Sequence, residues 1–343
     1  MKTSNSNQVK AMRNVFRSLP HFWALTAAAF IALTTLTHAQ FYVAQGASGI
    51  VGKVTTAGVP STFATYPGGD AQGITTDSLG NVLVAIGTSI YQVTPGGSSS
   101  LYGTYTDPIG GLAMSSGGTL YGTKTSGGPS GGSDVGIYDA LGTFTPLTLT
   151  NPGFAPFFRS NGLAFDGSGN LFIANRSNGG TYGESVLQLT PSGADWTISA
   201  FQSYATDTFK PWDIAFDPLG NVYVSSIRDT STIAKYSAAG ILDGTFTISG
   251  IGSNLLMSGV TFANEKLYAV ALGTYKMYEI DPTTGAATDF LGAGNLPDYR
   301  STFLTYTAVP EPSIMALVAL GGLTLVGRRV SRKNGRACAE TSV

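Results

Sequence analysis

The sequence predicts an all-β body between two export segments. Three observations support this prediction. Val, Ile, Tyr and Phe recur in short alternating runs without a 3.6-residue period, a strand–turn–strand pattern repeats through the body, and an apolar stretch lies near each end of the 343-residue chain. The 45 glycines and a charged fraction of only 11% fit many tight turns between short strands.

Residues 1–39 have the three parts of a secretory signal peptide. A basic stretch ends at Arg17, an apolar stretch runs from Phe22 to Leu36, and the small-residue sequence Thr37-His38-Ala39 follows. We expect the Sec translocon to export the chain and signal peptidase to cleave after Ala39. An uncleaved signal anchor is the alternative, and the short, threonine- and alanine-rich apolar stretch disfavours it.

The composition of residues 40–312 excludes several kinds of chemistry. His21 and His38 lie in the signal peptide and Cys338 in the C-terminal tail, so this part has neither residue type. Imidazole bases, cysteine nucleophiles, His or Cys zinc sites and disulfides are therefore excluded there. Ten basic and 19 acidic residues give a net charge of 10 − 19 = −9. No nucleic acid partner is expected, because phosphate binding needs a basic surface.

Five segments of the body share one pattern of strand, tight turn and strand. They start 38, 51, 51 and 46 residues apart, at Gly73, Gly111, Gly162, Asp213 and Gly259. With the short strands that follow them, these spacings give units of four strands, as in the blades of a β-propeller.

The ends of the body complete a ring. Residues 41–44, 50–55 and 61–66 supply three strands of a further blade, and residues 301–307 can supply its missing innermost strand. We therefore predict a six-bladed β-propeller over residues 40–308, closed by a C-terminal strand so that no sheet edge stays open. A seventh blade is the alternative, because residues 121–159 are numerous enough to hold more strands.

The repeated Asp-x-x-Gly-Asn turns have two interpretations. Asp77, Asp166 and Asp217 could bind calcium, but each turn offers one carboxylate where calcium requires six to eight oxygen ligands. Alternatively, each Asp accepts hydrogen bonds from its own turn while the glycine takes a positive φ. We expect the second, structural role.

The repeat pattern resembles that of NHL and gluconolactonase-like six-bladed propellers. The resemblance implies a divalent-metal site in the central channel, built from a Glu, two Asn and an Asp. Ser160-Asn161-Gly162-Leu163 resembles the family's Asn-Gly motif, whereas the other three positions fall at Gln72, near Ile109-Gly110 and at Trp212. Asp213, one residue further on, could add a second ligand after a register shift. We therefore predict no catalytic residue, metal or cofactor, and a metal-dependent hydrolase or lyase is the alternative.

Loops that surround the channel mouth are rich in aromatic and Arg residues. Such residues suit sugars through stacking and hydrogen bonding, although aromatics can equally pack between blades. The candidate ligand face comprises Arg159, Asn161, Arg176, Tyr182, Trp212, Arg228 and Tyr275.

Residues 309–343 form the second export segment. Pro310-Glu311-Pro312 precedes an apolar stretch, residues 314–326, and then Arg328-Arg329. The apolar stretch is shorter than the roughly 20 residues of a stable transmembrane helix, and the basic residues favour a cytoplasmic location. This order resembles the PEP-CTERM sorting signal of Gram-negative bacteria, although the tail after the arginines is longer than usual. An ordinary tail anchor is the alternative.

The resemblance implies a route and a setting. A short hydrophobic sorting helix would insert transiently into the inner membrane, an exosortase would process the chain, and the protein would reach the cell surface or extracellular matrix. Because PEP-CTERM proteins are associated with biofilm-forming bacteria, we predict a non-enzymatic propeller that binds or scaffolds extracellular material, with exopolysaccharide as the candidate ligand.

Overall fold

The computed structural model describes residues 39–307, except for 47, 68, 125–134, 151–159, 177–183, 206–207, 229–231, 250–254 and 299–300. The regular elements of this part are 25 β-strands in six sheets, so the fold is all-β, as predicted. Each sheet is one blade of a propeller.

Blades 1 to 3 each consist of four strands, named from the innermost strand outward. Blade 1 contains β25 (Ser301–Thr307), β1 (Gln40–Gln45), β2 (Ile50–Thr55) and β3 (Pro60–Thr65). Blade 2 contains β4 (Ala71–Thr76), β5 (Val82–Ile86), β6 (Ser89–Val93) and β7 (Ser99–Thr104). Blade 3 contains β8 (Ile109–Met114), β9 (Leu120–Lys124), β10 (Val135–Tyr138) and β11 (Phe144–Pro146).

The other three blades complete the ring. Blade 4 contains β13 (Ser160–Phe165), β14 (Leu171–Arg176), β15 (Glu184–Ser192), β16 (Asp195–Ser203) and β12 (Leu149–Thr150). Blade 5 contains β17 (Pro211–Phe216), β18 (Val222–Ser226), β19 (Thr232–Tyr236) and β20 (Leu242–Thr247). Blade 6 contains β21 (Leu256–Ala263), β22 (Lys266–Leu272), β23 (Met277–Ile280) and β24 (Ala287–Asp289).

The last strand closes the ring, which confirms the sequence prediction. β25 pairs antiparallel with β1, with Phe303 opposite Ala44 and Tyr306 opposite Phe41. The Thr302 hydroxyl lies 3.1 Å from the carbonyl oxygens of both Ala44 and Ala71. It therefore links blade 1 to blade 2, and each innermost strand contacts the next around the ring.

The stretch between blades 3 and 4 does not form a seventh blade in its described part. Instead β12 pairs in parallel with β16, so that Leu149 lies opposite Trp196 at the outer edge of blade 4. This fifth strand was not predicted from the sequence. A two-residue strand has too little alternation to be recognised without its partner.

The repeated turns have the structural role expected of them. In the first, the Asp77 carboxylate accepts hydrogen bonds from the amides of Leu79 (2.9 Å) and Asn81 (2.8 Å) and from the Asn81 side chain (2.7 Å), while Gly80 has a φ of 78°. The turns at Asp166 and Asp217 have the same bonds. Both carboxylate oxygens are thus used within each turn.

The propeller has two opposite ends that differ in structure. We call the end where the innermost strands begin the mouth face; it carries the loops before Ala71, Ile109 and Pro211. We call the end where these strands finish the turn face; it carries the Asp-x-x-Gly turns. Because β25 is an innermost strand and β1 runs antiparallel to it, Thr307 and Gln40 both lie at the turn face.

Candidate functional site

A β-bulge interrupts the innermost strand of blades 2 to 6 at the same place, near the mouth face. The register shifts between Ala71 and Ile74 in blade 2 and between Pro211 and Ile214 in blade 5, for example. The second residue inside these bulges is Gly73, Gly111, Gly162, Asp213 and Gly259. Four blades therefore have a glycine where blade 5 has an aspartate.

The glycines allow the innermost strands to approach each other closely. A Cβ atom on Gly111 would overlap the carbonyl oxygen of Asn161 in the next blade, and one on Gly73 would overlap that of Gly110. A Cβ on Gly259 would lie 2.6 Å from the Leu304 amide nitrogen in β25. A side chain at these positions would therefore push neighbouring blades apart.

Asp213 occupies the position of the repeated glycines, and its side chain contacts the next blade. Its carboxylate accepts hydrogen bonds from the Val260 amide of blade 6 and from its own neighbour Ile214, both at 3.0 Å. The Asp213 amide donates to the Ser225 hydroxyl at 3.1 Å. The residue is 6% exposed, and this burial raises the pKa of Asp213 to about 8, although the two amide bonds act in the opposite direction.

A central channel of about 270 Å³ runs from Asp213 toward the turn face. Residues of all six innermost strands line it, among them Leu112, Leu163, Ile214 and Phe303. Asp213 is the one ionisable group among the described residues that line the channel. A single carboxyl group thus lies at the mouth end of a channel whose other described lining residues are uncharged.

Trp212 lies across the mouth end of this channel. Its indole N–H donates to the Thr302 carbonyl at 3.0 Å, and its ring stacks on Phe303 with centroids 6.0 Å apart. These partners belong to blade 1, which is not adjacent to blade 5. The Arg176 guanidinium of blade 4 lies 4.9 Å from the Trp212 ring centroid. Trp212 is therefore half-buried and connects three blades instead of offering a free stacking surface.

Asn161 occupies the first bulge position of blade 4. Its backbone packs against Gly111, and its side-chain nitrogen Nδ2 is buried without a hydrogen-bond partner among the described residues. Buried amide donors in folded proteins almost always have an acceptor. The acceptor of this Nδ2 group therefore lies outside the described residues.

The bulge alignment also tests the expected metal ligands. Gln72, Gly110, Asn161 and Trp212 occupy equivalent positions, as the resemblance to gluconolactonase-like propellers required. Asp213 is one position further and directs its carboxylate to blade 6, so a register shift does not add it to the ligand set. Among the described residues no group of three or more His, Cys, Asp or Glu is arranged to hold a metal ion.

The other predicted ligand-face residues are only partly brought together. Arg228 and Tyr275 are exposed on the mouth face of blades 5 and 6, and Tyr275 is 46% accessible. Arg159 and Tyr182 lie outside the described residues. Glu184 and Lys210 lie outside the predicted ligand face, and their carboxylate and ammonium groups are 3.9 Å apart beside the mouth. A charged pair 26 positions apart has no local sequence signal.

Comparison with known proteins identifies the C-terminal segment. Residues 308–333 match the PEP-CTERM protein-sorting motif. The chain carries a PEP-CTERM sorting motif. The motif marks the propeller for export, with membrane-anchored transit and processing by an exosortase, as the sequence predicted. The sorting residues Pro310, Glu311, Pro312, Arg328 and Arg329 and the predicted signal peptide lie outside the described residues.

Solved structures support the propeller fold. A chain of a nidogen–laminin complex aligns with a TM-score of 0.63 at 14% identity, over 80% of this chain and 100% of that one. A streptogramin B lyase aligns with a TM-score of 0.53 at 14% identity, over 73% and 78%. A Bacteroides caccae protein of unknown function gives 0.57 at 11% identity, over 80% and 100%. At these identities the similarity shows the fold alone. No curated protein matches significantly.

The predicted sorting helix, residues 314–326, falls outside the described residues. Within the part of the chain that the structure describes, no helix is long and apolar enough to cross a membrane.

Proposed function

We propose that the protein is a non-enzymatic binding module of the cell surface, which recognises extracellular polysaccharide through its mouth face. The observation that carries this proposal is the buried Nδ2 group of Asn161, which has no acceptor among the described residues. The Nδ2 atom is closed off from solvent, so a sugar hydroxyl or carboxylate oxygen would supply the missing acceptor only when the groups that cover Asn161 move aside. The sorting motif supports the cell-surface destination.

The surroundings of Asn161 suit a carbohydrate. Arg228 and Tyr275 are exposed on the mouth face of blades 5 and 6, while the Arg176 guanidinium covers the Trp212 ring. Flat aromatic and guanidinium groups pack against sugar rings, and Arg can hold an acidic sugar by paired hydrogen bonds. Two of the seven predicted ligand-face residues, Arg228 and Tyr275, thus accompany the Asn161 amide on this face.

Binding should be measured on processed protein recovered from the cell surface, with polysaccharide from the producing bacterium. We expect Asn161→Ala and Arg228→Ala each to weaken binding by about tenfold, which is the loss of one hydrogen bond to a charged or buried group. Lys266→Ala, on the turn face, is the control and should bind normally.

Stability separates a ligand-binding Asn161 from a structural one. Because the Nδ2 group has no partner in the described protein, its removal should leave the urea midpoint unchanged or raise it. Loss of stability in Asn161→Ala, or unchanged glycan binding in both variants, would contradict the proposal.

A further inference from the structure

The sorting segment leaves the propeller with almost no linker. β25 ends at Thr307 on the turn face, and only Ala308 and Val309 precede Pro310. An extended chain spans at most about 3.6 Å per residue, so the seven residues to Ile314 reach at most about 25 Å. While the apolar stretch is inserted in a membrane, the turn face must stay close to the lipid surface.

The turn face also carries most of the exposed large apolar side chains. Eight such residues are exposed in the described protein, and six lie in turns or strand starts at this end. They are Val59 (59%), Leu79 (75%), Leu141 (91%), Leu219 (84%), Ile241 (68%) and Leu242 (54%). Single exposed leucines are ordinary, but repeated ones on one face indicate a contact surface.

The charges of this face indicate which kind of lipid it can contact. Its turns contain Asp77, Asp139, Asp166, Asp217 and Glu265, against the exposed cation Lys266. An acidic face is repelled by an anionic lipid surface, so the apolar tips are suited to zwitterionic phospholipid. The contact is therefore weak without the tether, which supplies a high effective concentration.

We propose that the turn face rests on the membrane during sorting, with Leu79, Leu141 and Leu219 in the lipid interface. This inference rests on the membrane-anchored transit that the sorting motif implies. The mouth face then points away from the membrane, toward extracellular ligands. Removal of the sorting segment by exosortase ends the contact, because only the tether keeps an acidic face at the lipid surface.

Depth-dependent fluorescence quenching tests this orientation. The chain is isolated from a host without exosortase, carries Cys338→Ser, and is placed in phosphatidylcholine vesicles whose acyl chains bear nitroxide quenchers. A fluorophore is attached at Leu219→Cys or Leu79→Cys on the turn face, or at Thr106→Cys, an exposed mouth-face control. We expect at least about twofold stronger quenching at the two turn-face positions, since interfacial groups lie about 5–10 Å into the headgroup region.

One further measurement separates the possible failures. A fluorophore at Ala319→Cys reports insertion of the apolar stretch itself. Strong quenching there with equal, weak quenching at Leu219 and Thr106 would overturn the orientation alone. Weak quenching at Ala319 would overturn the membrane anchoring and the orientation together. Equal, strong quenching on both faces would show non-specific adsorption and would also reject the inference.

Discussion

On the turn face, the loops at Asp77, Asp166 and Asp217 have nearly the same hydrogen bonds, whereas on the mouth face the equivalent bulge positions differ from blade to blade. Each turn satisfies its own polar groups within five residues. The bulge of blade 5 instead depends on residues of other blades, through Asp213 to Val260 and Trp212 to Thr302. The self-contained turns can repeat from blade to blade without change, whereas the bulges can vary to suit a ligand.

The two faces also differ in charge. Five of the cations in the described residues lie at the mouth face, and the turn face is mainly acidic. The five are Lys124, Arg176, Lys210, Arg228 and Lys276. Lys124, Lys210 and Lys276 pair there with Asp107, Glu184 and Asp289, so the mouth face has mixed charge while the turn face is mainly acidic. This separation fits a mouth face that binds ligands and a turn face that meets the membrane only while tethered.

Glycine substitutions should show the largest difference in stability between the bulges of the mouth face and the turns of the turn face. Gly111→Ala places a Cβ against the Asn161 carbonyl, so we expect a loss of at least about 3 kcal/mol in the free energy of unfolding. Gly167→Ala, in the Asp166 turn, meets no atom within 4 Å and should change it by less than about 1 kcal/mol. Urea unfolding measures both. Equal losses would show that the close approach of the innermost strands is not needed.

The Asp213 carboxyl makes stability depend on pH. Its folded-state pKa of about 8 exceeds the ordinary value of 3.8, so the unfolded chain releases the proton first. Stability is then fully present below pH 3.8 and falls as the pH rises to about 8, by roughly 1.4 kcal/mol per pH unit from this group.

Asp213→Asn removes this titration, and the variant should unfold with a flatter pH dependence between these limits. The difference in stability between the variant and the wild type at a single pH is not diagnostic, because an amide oxygen satisfies only one of the two backbone N–H donors. The decisive readout is therefore the slope in urea unfolding from pH 4 to pH 8. An unchanged slope would place the Asp213 carboxyl in contact with solvent.

Trp212 tests how far the mouth face depends on contacts between blades. Trp212→Ala removes the stacks on Phe303 and Arg176 and should cost about 2 kcal/mol, less than for a fully buried tryptophan. Trp212→Phe keeps an aromatic ring but loses the bond to Thr302 and should cost about 1 kcal/mol. Thermal unfolding with Tyr275→Ala as an exposed control distinguishes them. Identical melting temperatures for Trp212→Ala and the control would reject a connecting role.

The turns should give the smallest effect. Asp166→Ala removes the acceptor for the amides of Ser168 and Asn170 and for the Asn170 side chain; the first bond is exposed and the other two are partly buried. Because water can replace an exposed acceptor, we expect a loss of about 1 kcal/mol. Asp166→Asn, which keeps one acceptor oxygen, should lose less. Calcium added to the wild type should not alter its melting temperature; a calcium-dependent rise abolished by Asp166→Ala would restore the metal interpretation.

Much of the propeller could be predicted because its signals are local. The Asp-x-x-Gly-Asn turns identify strand pairs within about a dozen residues, and their spacing gives the blades. The closing strand at residues 301–307 followed from one missing strand in blade 1. The fifth strand of blade 4 did not follow, since Leu149–Thr150 acquires its role only by pairing with β16.

The candidate site shows the limit of the same reasoning. The repeats fix where each loop emerges, so residues such as Asn161, Arg228 and Tyr275 could be assigned to one end of the propeller, while their role in ligand binding stays a prediction. The structure decided that Trp212 crosses to blade 1 and that Asp213 bridges to blade 6. An aspartate in place of the repeated glycine was visible in the aligned segments, but its burial was not.

The sequence by itself determined the sorting motif, the number of repeats and the chemistry of the turns, because each depends on residues close together in the chain. The tertiary structure alone decided which mouth groups meet, which polar groups are buried and which end of the propeller carries both ends of the body. These properties arise when the ring closes, since closure brings blades 1, 5 and 6 together around one channel and fixes the solvent exposure of each side chain.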